Sequence, residues 1–142
     1  MKGLVYISRA TNPFSEDELT QLAQTAAARN KNNNITGYLS YDSEDRFIQY
    51  IESEETDLQQ LFDSIYRDNR HRITHYIRHD IEQRKFTGWG MRLIMDHEFK
   101  DIHDLMINHL FHISSAPSMV TYKSKLIWST VDTLADASHV QH

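Results

Sequence analysis

The chain has 142 residues, a length that suits one domain with its own core, and its 20 acidic and 15 basic side chains give a net charge of −5. This charge, without a basic stripe, disfavours direct nucleic-acid binding, and the lack of cysteine excludes disulfides, thiolate nucleophiles and cysteine-based metal sites. The sequence has only four glycines and no apolar run of signal-peptide or membrane-span length, so we expect no P-loop, no membrane anchor and a cytoplasmic location.

The first elements along the chain are a strand and a capped helix. Residues 3–8 form a short apolar run that predicts a strand. Ser15 and Glu18 have the spacing of a capping box, so we expect a helix that starts there and ends near Asn30. The polar run over residues 30–34 then predicts a turn.

Two strands follow, over residues 35–41 and 46–52, and the polar residues between them predict a hairpin. The second of these strands has apolar residues on both faces, which indicates burial on both sides. Gln49 lies in its middle. A buried amide without partners costs about 1–3 kcal/mol, so this side chain needs hydrogen-bond partners, although a backbone group would serve equally well.

A second helix and a second type of strand come next. Thr56 and Gln59 resemble another capping box, placed before a helical stripe of apolar residues. Residues 72–81 alternate between polar residues and either isoleucine or histidine. This alternation predicts a strand with Ile73 and Ile77 on the same face.

Residues 89–94 predict the last strand. The element order is therefore β-α-β-β-α-β-β, an α+β, ferredoxin-like sandwich with both helices on one face of the sheet. Two further helical patterns follow, near residues 102–113 and 119–134, with a break at Pro117. We expect these two C-terminal helices to cover the other sheet face within the same structural domain.

Several residues have an ordinary structural interpretation beside a functional one. His71, His75 and His79 are four apart, but on a strand that spacing separates neighbours by about 13 Å, too far to share one metal ion. The charged run from Arg67 to His71 is also typical of a plain helix end. Trp89, taken alone, is more often a core residue than a functional one.

An ordered set of motifs is more specific than any one of these residues. The segments LVYIS, FIQYIE, RDNRH, RKF and WGM, with Asn30 and Thr36-Gly37 between the first two, together resemble the BLUF family of blue-light sensors that use flavin. The resemblance covers about the first 95 residues. It implies a BLUF flavin-binding domain over residues 1–95 and a helical extension over residues 96–142.

The resemblance also implies a flavin, either FAD or FMN, between the two helices. In the family, the flavin is surrounded by a tyrosine on the first strand, an asparagine closing the first helix, a glutamine on the third strand and a Trp-x-Met on the last strand. The corresponding residues here are Tyr6, Asn30, Gln49, Trp89 and Met91. Trp89 and Met91 are two residues apart and are expected to share one face near the flavin, where they would relay the signal.

Further residues are expected to bind the same cofactor. Those that would line the flavin ring with apolar groups are Leu22, Ala26 and Ile65. Those suited to its ribityl chain and phosphate lie at or just past the helix ends, and they are Arg29, Asp68, Arg70 and His71.

The implied mechanism is an electron and proton transfer from Tyr6 to the excited flavin, followed by recombination and a rearranged Gln49. An amide has a donor end and an acceptor end, so rotation or tautomerisation of Gln49 would reverse the polarity of its hydrogen bonds. The last strand and the C-terminal helices would then carry the signal to an oligomer or to a protein partner.

Two functions from other classes stay open at this point. A ferredoxin-like module for oligomerisation or ligand binding would show no photochemistry, and a flavin-dependent oxidoreductase would need substrate access beside the flavin. The sequence shows no catalytic carboxylate pair, triad or metal cluster, and its C-terminal part is too short for a cyclase or phosphodiesterase domain. The leading hypothesis is therefore a stand-alone, non-enzymatic sensor that forms a homo-oligomer or binds a partner protein, without nucleic acid or membrane.

Overall fold

The helices and strands of the computed structural model, which describes residues 1–95, 104–105 and 128–136, follow the order expected from the sequence. They are β1 (Lys2–Ala10), α1 (Glu16–Asn32), β2 (Thr36–Tyr41), β3 (Arg46–Ser53), α2 (Glu55–Arg67), β4 (His71–Asp80) and β5 (Arg92–Met95). A further helical segment, here called the tail helix, spans residues 128–136. The helix expected over residues 102–113 lies outside the described residues, apart from two helical residues at 104–105.

One sheet of five strands has the order β4-β1-β3-β2-β5. Neighbours among the first four strands are antiparallel, and β5 lies parallel to β2 at one edge. The expected ferredoxin-like α+β arrangement is therefore confirmed. Because β1 and β3 are central strands, their side chains are buried on both sides of the sheet, and the register sets Tyr6 directly opposite Gln49.

The sheet separates two hydrophobic cores. On the helix face, α1 and α2 pack against the sheet, and the core includes Leu4, Tyr6, Leu19, Ala26, Leu39, Phe47, Ile51, Leu58, Phe62 and Met91. On the opposite face, here called the tail face, the tail helix packs against the sheet, and the core includes Val5, Ile7, Tyr38, Ile48, Tyr50, Phe86, Trp89, Trp128, Val131 and Leu134. The expectation that the C-terminal part covers this second face is confirmed for residues 128–136.

The two helices begin in different ways. Ser15 accepts a hydrogen bond from the Glu18 N–H, and the Glu18 carboxylate accepts one from the Ser15 N–H, so the predicted capping box is present. The second predicted capping box is wrong. The helix α2 starts after Glu54, which has an extended backbone and no side-chain capping bond, so Thr56 already lies inside the helix. The helix α1 continues to Asn32, which places the turn later than expected.

Strand β4 contains a bulge that its sequence does not reveal. The register against β1 shifts between Ile73 and His75, so Thr74 is an extra residue in the ladder. A shift of one residue moves side chains to the opposite face. Ile73 therefore packs on the helix face and Ile77 on the tail face, and the expectation that they share a face is wrong.

The last strand is shorter than predicted, because β5 begins only at Arg92. Residues 89–91 end the preceding loop, where the alternation of a strand does not apply. Trp89 packs in the tail-face core, whereas Met91 packs in the helix-face core. The expectation that Trp89 and Met91 share one face near the flavin is therefore wrong.

Gly37 allows β2 and β3 to approach closely, because a Cβ at this position would lie 1.9 Å from the Tyr50 carbonyl oxygen. Both atoms belong to backbone that the sheet holds in place. We therefore expect Gly37→Ala to lower the free energy of unfolding by about 3 kcal/mol or more, measured by urea denaturation.

The control for this substitution is Gly88→Ala, where no atom lies within 4 Å of the added Cβ and only the positive φ of 84° opposes the change. It should cost about 1–2 kcal/mol. A loss at Gly37 no larger than the loss at Gly88 would contradict the close-approach argument.

Candidate functional site

A cavity of about 620 Å³ opens on the helix face between α1 and α2. This volume lies within the range of small-molecule sites. Its floor consists of side chains from the three strands β1, β2 and β3, namely Tyr6, Leu39, Phe47 and Gln49. Its walls come from α1, from the end of α2 and from the loops before α1 and β4.

Most of the residues predicted to surround a flavin line this cavity. They are Tyr6, Leu22, Ala26, Arg29, Gln49, Ile65, Asp68, Arg70 and His71. The helical residues reach it because α1 and α2 turn one side towards the same face of the sheet. Asn30 is buried one turn after Ala26 without lining the cavity, and Met91 contacts Gln49. Trp89 lies on the opposite sheet face.

Gln49 is 5% exposed, and both ends of its amide are hydrogen-bonded. The Tyr6 hydroxyl donates to Oε1, and Nε2 donates to the sulfur of Met91 at 3.3 Å. The partners of this buried amide are therefore side chains rather than backbone groups. Because a thioether is a weak acceptor, the donor end of the amide is the less firmly held end.

The Tyr6 hydroxyl stays protonated in the folded protein. Burial raises the pKa of Tyr6 far above its ordinary value of about 10, and the negative charge of Asp68 raises it further, while Arg29 opposes this. The ring contacts those of Phe62 and His71, with centroids 6.5 Å and 6.0 Å away. Tyr6 is thus a neutral hydrogen-bond donor, fixed by its neighbours and aimed at Gln49.

Asn30 is fully buried, and only one end of its amide is paired among the described residues. Its Nδ2 donates to the Gly90 carbonyl oxygen at 2.9 Å, which orients the amide, while Oδ1 has no partner there. A buried acceptor without a donor costs about 1–3 kcal/mol. Such an atom is suited to accept a hydrogen bond from a ligand N–H, and a flavin ring carries one at N3.

The junction of α2 and β4 contributes a charged pair and a neutral histidine. Arg70 donates to the Asp68 carboxylate through Nε at 3.0 Å and Nη2 at 2.5 Å, and this pairing lowers the pKa of Asp68 to about 2. His71 lies 3.1 Å from the Ile65 carbonyl oxygen through Nε2 and 2.6 Å from the Ser8 hydroxyl through Nδ1. Because a carbonyl oxygen only accepts, Nε2 carries the proton and Nδ1 accepts from Ser8.

Arg29 differs from Arg70 in its electrostatic surroundings. Among the residues that the structure describes, Arg29 makes no ion pair, whereas Arg70 is paired with Asp68. Both line the cavity. Arg29 is therefore a cationic lining residue without a carboxylate partner among the described residues, whereas the charge of Arg70 is partly offset and its orientation fixed by Asp68.

Sequence reasoning missed part of the lining. Phe47 lies two residues before Gln49 on β3, and Leu39 is the cross-strand partner of Gln49, so alternation and strand pairing could have identified both. Residues 11–14 carry no such signal. They reach the cavity because the Thr11 hydroxyl donates at 2.9 Å to a carbonyl just before β4.

The described residues were also searched for metal-binding clusters and for membrane-spanning helices. Within residues 1–95, 104–105 and 128–136, no group of three or more His, Asp or Glu side chains is placed to hold a metal ion. A search of the same residues finds no helix with the length and apolarity that crossing a membrane requires.

A sequence comparison with protein families matches residues 1–92 to a family described as "BLUF: Sensors of blue-light using FAD". The chain belongs to the BLUF family. BLUF domains bind a flavin and sense blue light, so the matched residues form a flavin photoreceptor domain rather than a catalytic one. This agrees with the resemblance found in the motifs.

Curated relatives of this BLUF domain are much longer proteins. Photoactivated adenylate cyclase subunit alpha of Euglena gracilis is 39% identical over 69 residues, which cover 49% of this chain and 7% of the relative. A subunit beta-like protein, 1224-5/9F, of the same organism is 32% identical over 131 residues, which cover 88% of this chain and 15% of the relative. The chain thus spans less than a fifth of the length of these relatives.

Solved structures show the same BLUF fold. The dark-state structure of BlrB, a BLUF protein, has a TM-score of 0.63 at 24% identity, covering 93% of this chain and 95% of that one. Klebsiella pneumoniae BlrP1 with FMN and cyclic diGMP has a TM-score of 0.63 at 28% identity, covering 89% of this chain and 34% of that one.

His71 makes the stability of the BLUF domain depend on pH. Burial lowers the pKa of His71 below its ordinary value of 6.5, so the folded protein binds this proton less tightly than the unfolded chain does. The free energy of unfolding therefore falls as the pH is lowered from about 6.5 through the folded-state pKa, whereas above about 6.5 this contribution is constant. We expect His71→Asn to reduce the loss of stability between pH 8 and pH 5.5, measured by urea denaturation.

His75→Asn is the matched comparison, because burial also lowers the pKa of His75 but its hydrogen bond to Thr74 is exposed, whereas both ring nitrogens of His71 are bonded in partly buried positions. Its substitution should change the acid-side loss less than that of His71. The same pH dependence in His71→Asn and in the wild type would contradict the assignment.

Proposed function

We propose that this chain is a blue-light photoreceptor in which Tyr6 and Gln49 form the switch beside a flavin bound in the helix-face cavity. The observation that supports this most directly is the Gln49 amide, held between a hydroxyl donor on Tyr6 and a thioether acceptor on Met91. FAD is the expected flavin, in agreement with the family description, and FMN is the alternative.

The cavity lining and the buried amide of Asn30 beside it fit a flavin ring. Asn30 Oδ1 offers a buried acceptor for the ring N–H, and its orientation is fixed by the bond to the Gly90 carbonyl. Leu22, Ala26 and Ile65 line the cavity with aliphatic groups that suit the faces of an aromatic ring.

The charged lining residues fit the phosphate-bearing part of the cofactor. Arg29 supplies a cation without an ion pair among the described residues, and Arg70 supplies a second cation oriented by Asp68. His71 is neutral, and its two ring nitrogens are already bonded to protein groups. We therefore assign Arg29 and Arg70 to phosphate binding, with Asp68 and His71 as residues that position this end of the site.

The bound flavin would supply the absorption of blue light and an excited state that accepts an electron. Tyr6 is the proposed source of that electron and of its hydroxyl proton, and both return to it afterwards. Because burial keeps the Tyr6 hydroxyl protonated, its proton is present and directed at Gln49 Oε1 when the electron leaves. Gln49 then rotates or tautomerises, and the ends of its amide exchange their donor and acceptor roles.

The sulfur of Met91 makes this exchange asymmetric. A hydroxyl can donate or accept, so Tyr6 can bond to either end of the amide, whereas a thioether has no hydrogen to donate. If the amide oxygen of Gln49 turns towards Met91, the contact seen at 3.3 Å is lost. The rearranged amide thus favours a different position of Met91, and this is how the proposed switch acts on the backbone before β5.

The output is proposed to reach the C-terminal part through this same segment. Trp89, two residues before Met91, packs in the tail-face core together with Trp128 of the tail helix. A displacement of residues 89–91 would change the docking of the tail, and with it an interface to a second copy or to a protein partner.

The photochemical proposal is tested by the flavin absorption spectrum before and after blue light. The wild type should show a small red shift that reverses in the dark. Tyr6→Phe removes the hydroxyl and Gln49→Leu removes both amide polarities at similar volume, so both variants should bind flavin but lose the red-shifted state. Tyr66→Phe, at a tyrosine that is 63% exposed, is the control and should behave as the wild type. An unchanged wild-type spectrum, or a normal yield in Tyr6→Phe, would refute the mechanism.

The output proposal is tested by hydrogen exchange in the dark and under blue light. We expect light to change protection in residues 89–94 and 100–136, because the first segment contacts Gln49 and the second contains the tail helix. Residues 57–61 of α2, which do not line the cavity and are not part of the proposed switch, serve as the internal reference. Unchanged protection in both segments, with the red shift intact, would mean that the signal leaves by another route.

A further inference from the structure

Glu52 is a fully buried carboxylate at the end of β3, and the photochemistry described above does not use it. Its two oxygens accept five hydrogen bonds. The donors are the hydroxyls of Thr36 at 2.7 Å and Tyr50 at 2.9 Å, the Lys85 N–H at 2.8 Å and 3.1 Å, and the Phe86 N–H at 2.8 Å. A buried charge with so many donors is firmly fixed.

These bonds attach the loop between β4 and β5, residues 81–91, to the end of the sheet. Two of the donors are backbone N–H groups of the loop, from Lys85 and Phe86. Arg84 adds a third attachment, because its Nη1 donates to the Thr36 hydroxyl at 2.9 Å and to the Glu52 carbonyl oxygen at 3.3 Å. Residues 84–86 of the loop are therefore held by one carboxylate and its immediate neighbours, whereas the carbonyl oxygens of Trp89 and Gly90 accept separate hydrogen bonds from the Gly37 N–H and from Asn30, both at 2.9 Å.

The same loop makes contacts on both faces of the sheet. On the tail face, Phe86 and Trp89 belong to the core that contacts the tail helix, and Lys85 forms an ion pair with Asp132 of that helix. On the helix face, Met91 accepts the hydrogen bond from the Gln49 amide. Glu52 thus anchors a loop that contacts Gln49 on one face of the sheet and the tail helix on the other.

We propose that Glu52 is a positioning residue for the light switch. Its carboxylate fixes residues 84–86, and together with the bonds to the Trp89 and Gly90 carbonyl oxygens it sets the distance of Met91 from Gln49. It also holds Phe86 in the core that contacts the tail helix. This inference rests on the proposed function, since it assigns Glu52 a part in how the rearranged Gln49 returns to its original state.

The test is Glu52→Gln in the full chain loaded with flavin. A glutamine keeps one acceptor oxygen, and its NH₂ group cannot accept from a loop N–H, so the amide loses either the 2.8 Å bond from the Lys85 N–H or the 2.8 Å bond from the Phe86 N–H, depending on its orientation. We expect faster hydrogen exchange at residues 84–86 in the dark. We also expect a red-shifted state that still forms but decays roughly tenfold more slowly, because the loss of one charge-assisted hydrogen bond hinders the loop from returning to its place.

Glu82→Gln is the matched control, because it makes the same substitution at an exposed residue of the same loop. It should leave exchange and recovery as in the wild type. Unchanged recovery in Glu52→Gln, with or without faster exchange, would show that Glu52 has only a structural role and would overturn the proposal.

A second variant decides the matter if Glu52→Gln does not fold. Thr36→Val removes one hydroxyl from the Glu52 carboxylate and one acceptor from Arg84 at similar volume. Slower recovery in this variant supports the positioning role, and wild-type recovery overturns it. A wild-type protein without any red shift is a different result, because it contradicts the proposed function itself and removes the Glu52 proposal with it.

Discussion

The pairing of β1 with β3 is the constraint on which the rest of the site depends. It places the Tyr6 hydroxyl and the Gln49 amide side by side on the helix face. Because side chains alternate between the faces of a sheet, a slip of one residue on either strand would move one of the pair to the other core. The buried pair of Leu4 and Ile51 in the same register opposes such a slip.

The two faces of the sheet have different physical characters. The helix face combines apolar packing with a cavity and several polar groups, including Gln49 and Asn30. The tail face is an aromatic core in which the Tyr50 ring contacts those of Phe86 and Trp128, with centroids 5.3 Å and 6.2 Å away. Residues 81–91 cross the end of the sheet and contact both faces, so they connect the two cores without passing through the strands.

Local sequence patterns predicted the features that depend on interactions between neighbouring residues, such as helix caps and strand alternation. The capping box of Ser15 and Glu18 needs only neighbouring residues. Periodicity identified the strands that carry Tyr6 and Gln49, whereas their pairing beside a flavin was implied by the family resemblance. The face of the sheet on which Trp89 packs could not be predicted from local signals. It depends on where β5 begins and on packing against the tail helix, which is distant in the sequence. The same holds for residues 11–14, which approach the cavity only through a contact with the start of β4.

The bulge at Thr74 has a consequence for how sequences of this family are compared. Before the bulge, odd-numbered residues of β4 such as Ile73 lie on the helix face; after it, odd-numbered residues such as Ile77 lie on the tail face. His71 therefore lines the cavity, whereas His75 and His79 lie after the bulge on the opposite face, although all three have the same spacing in the sequence. An alignment that places a gap on the wrong side of Thr74 would exchange cavity positions with tail-face positions. Grafts between relatives should accordingly keep the strand and its extra residue together as one unit.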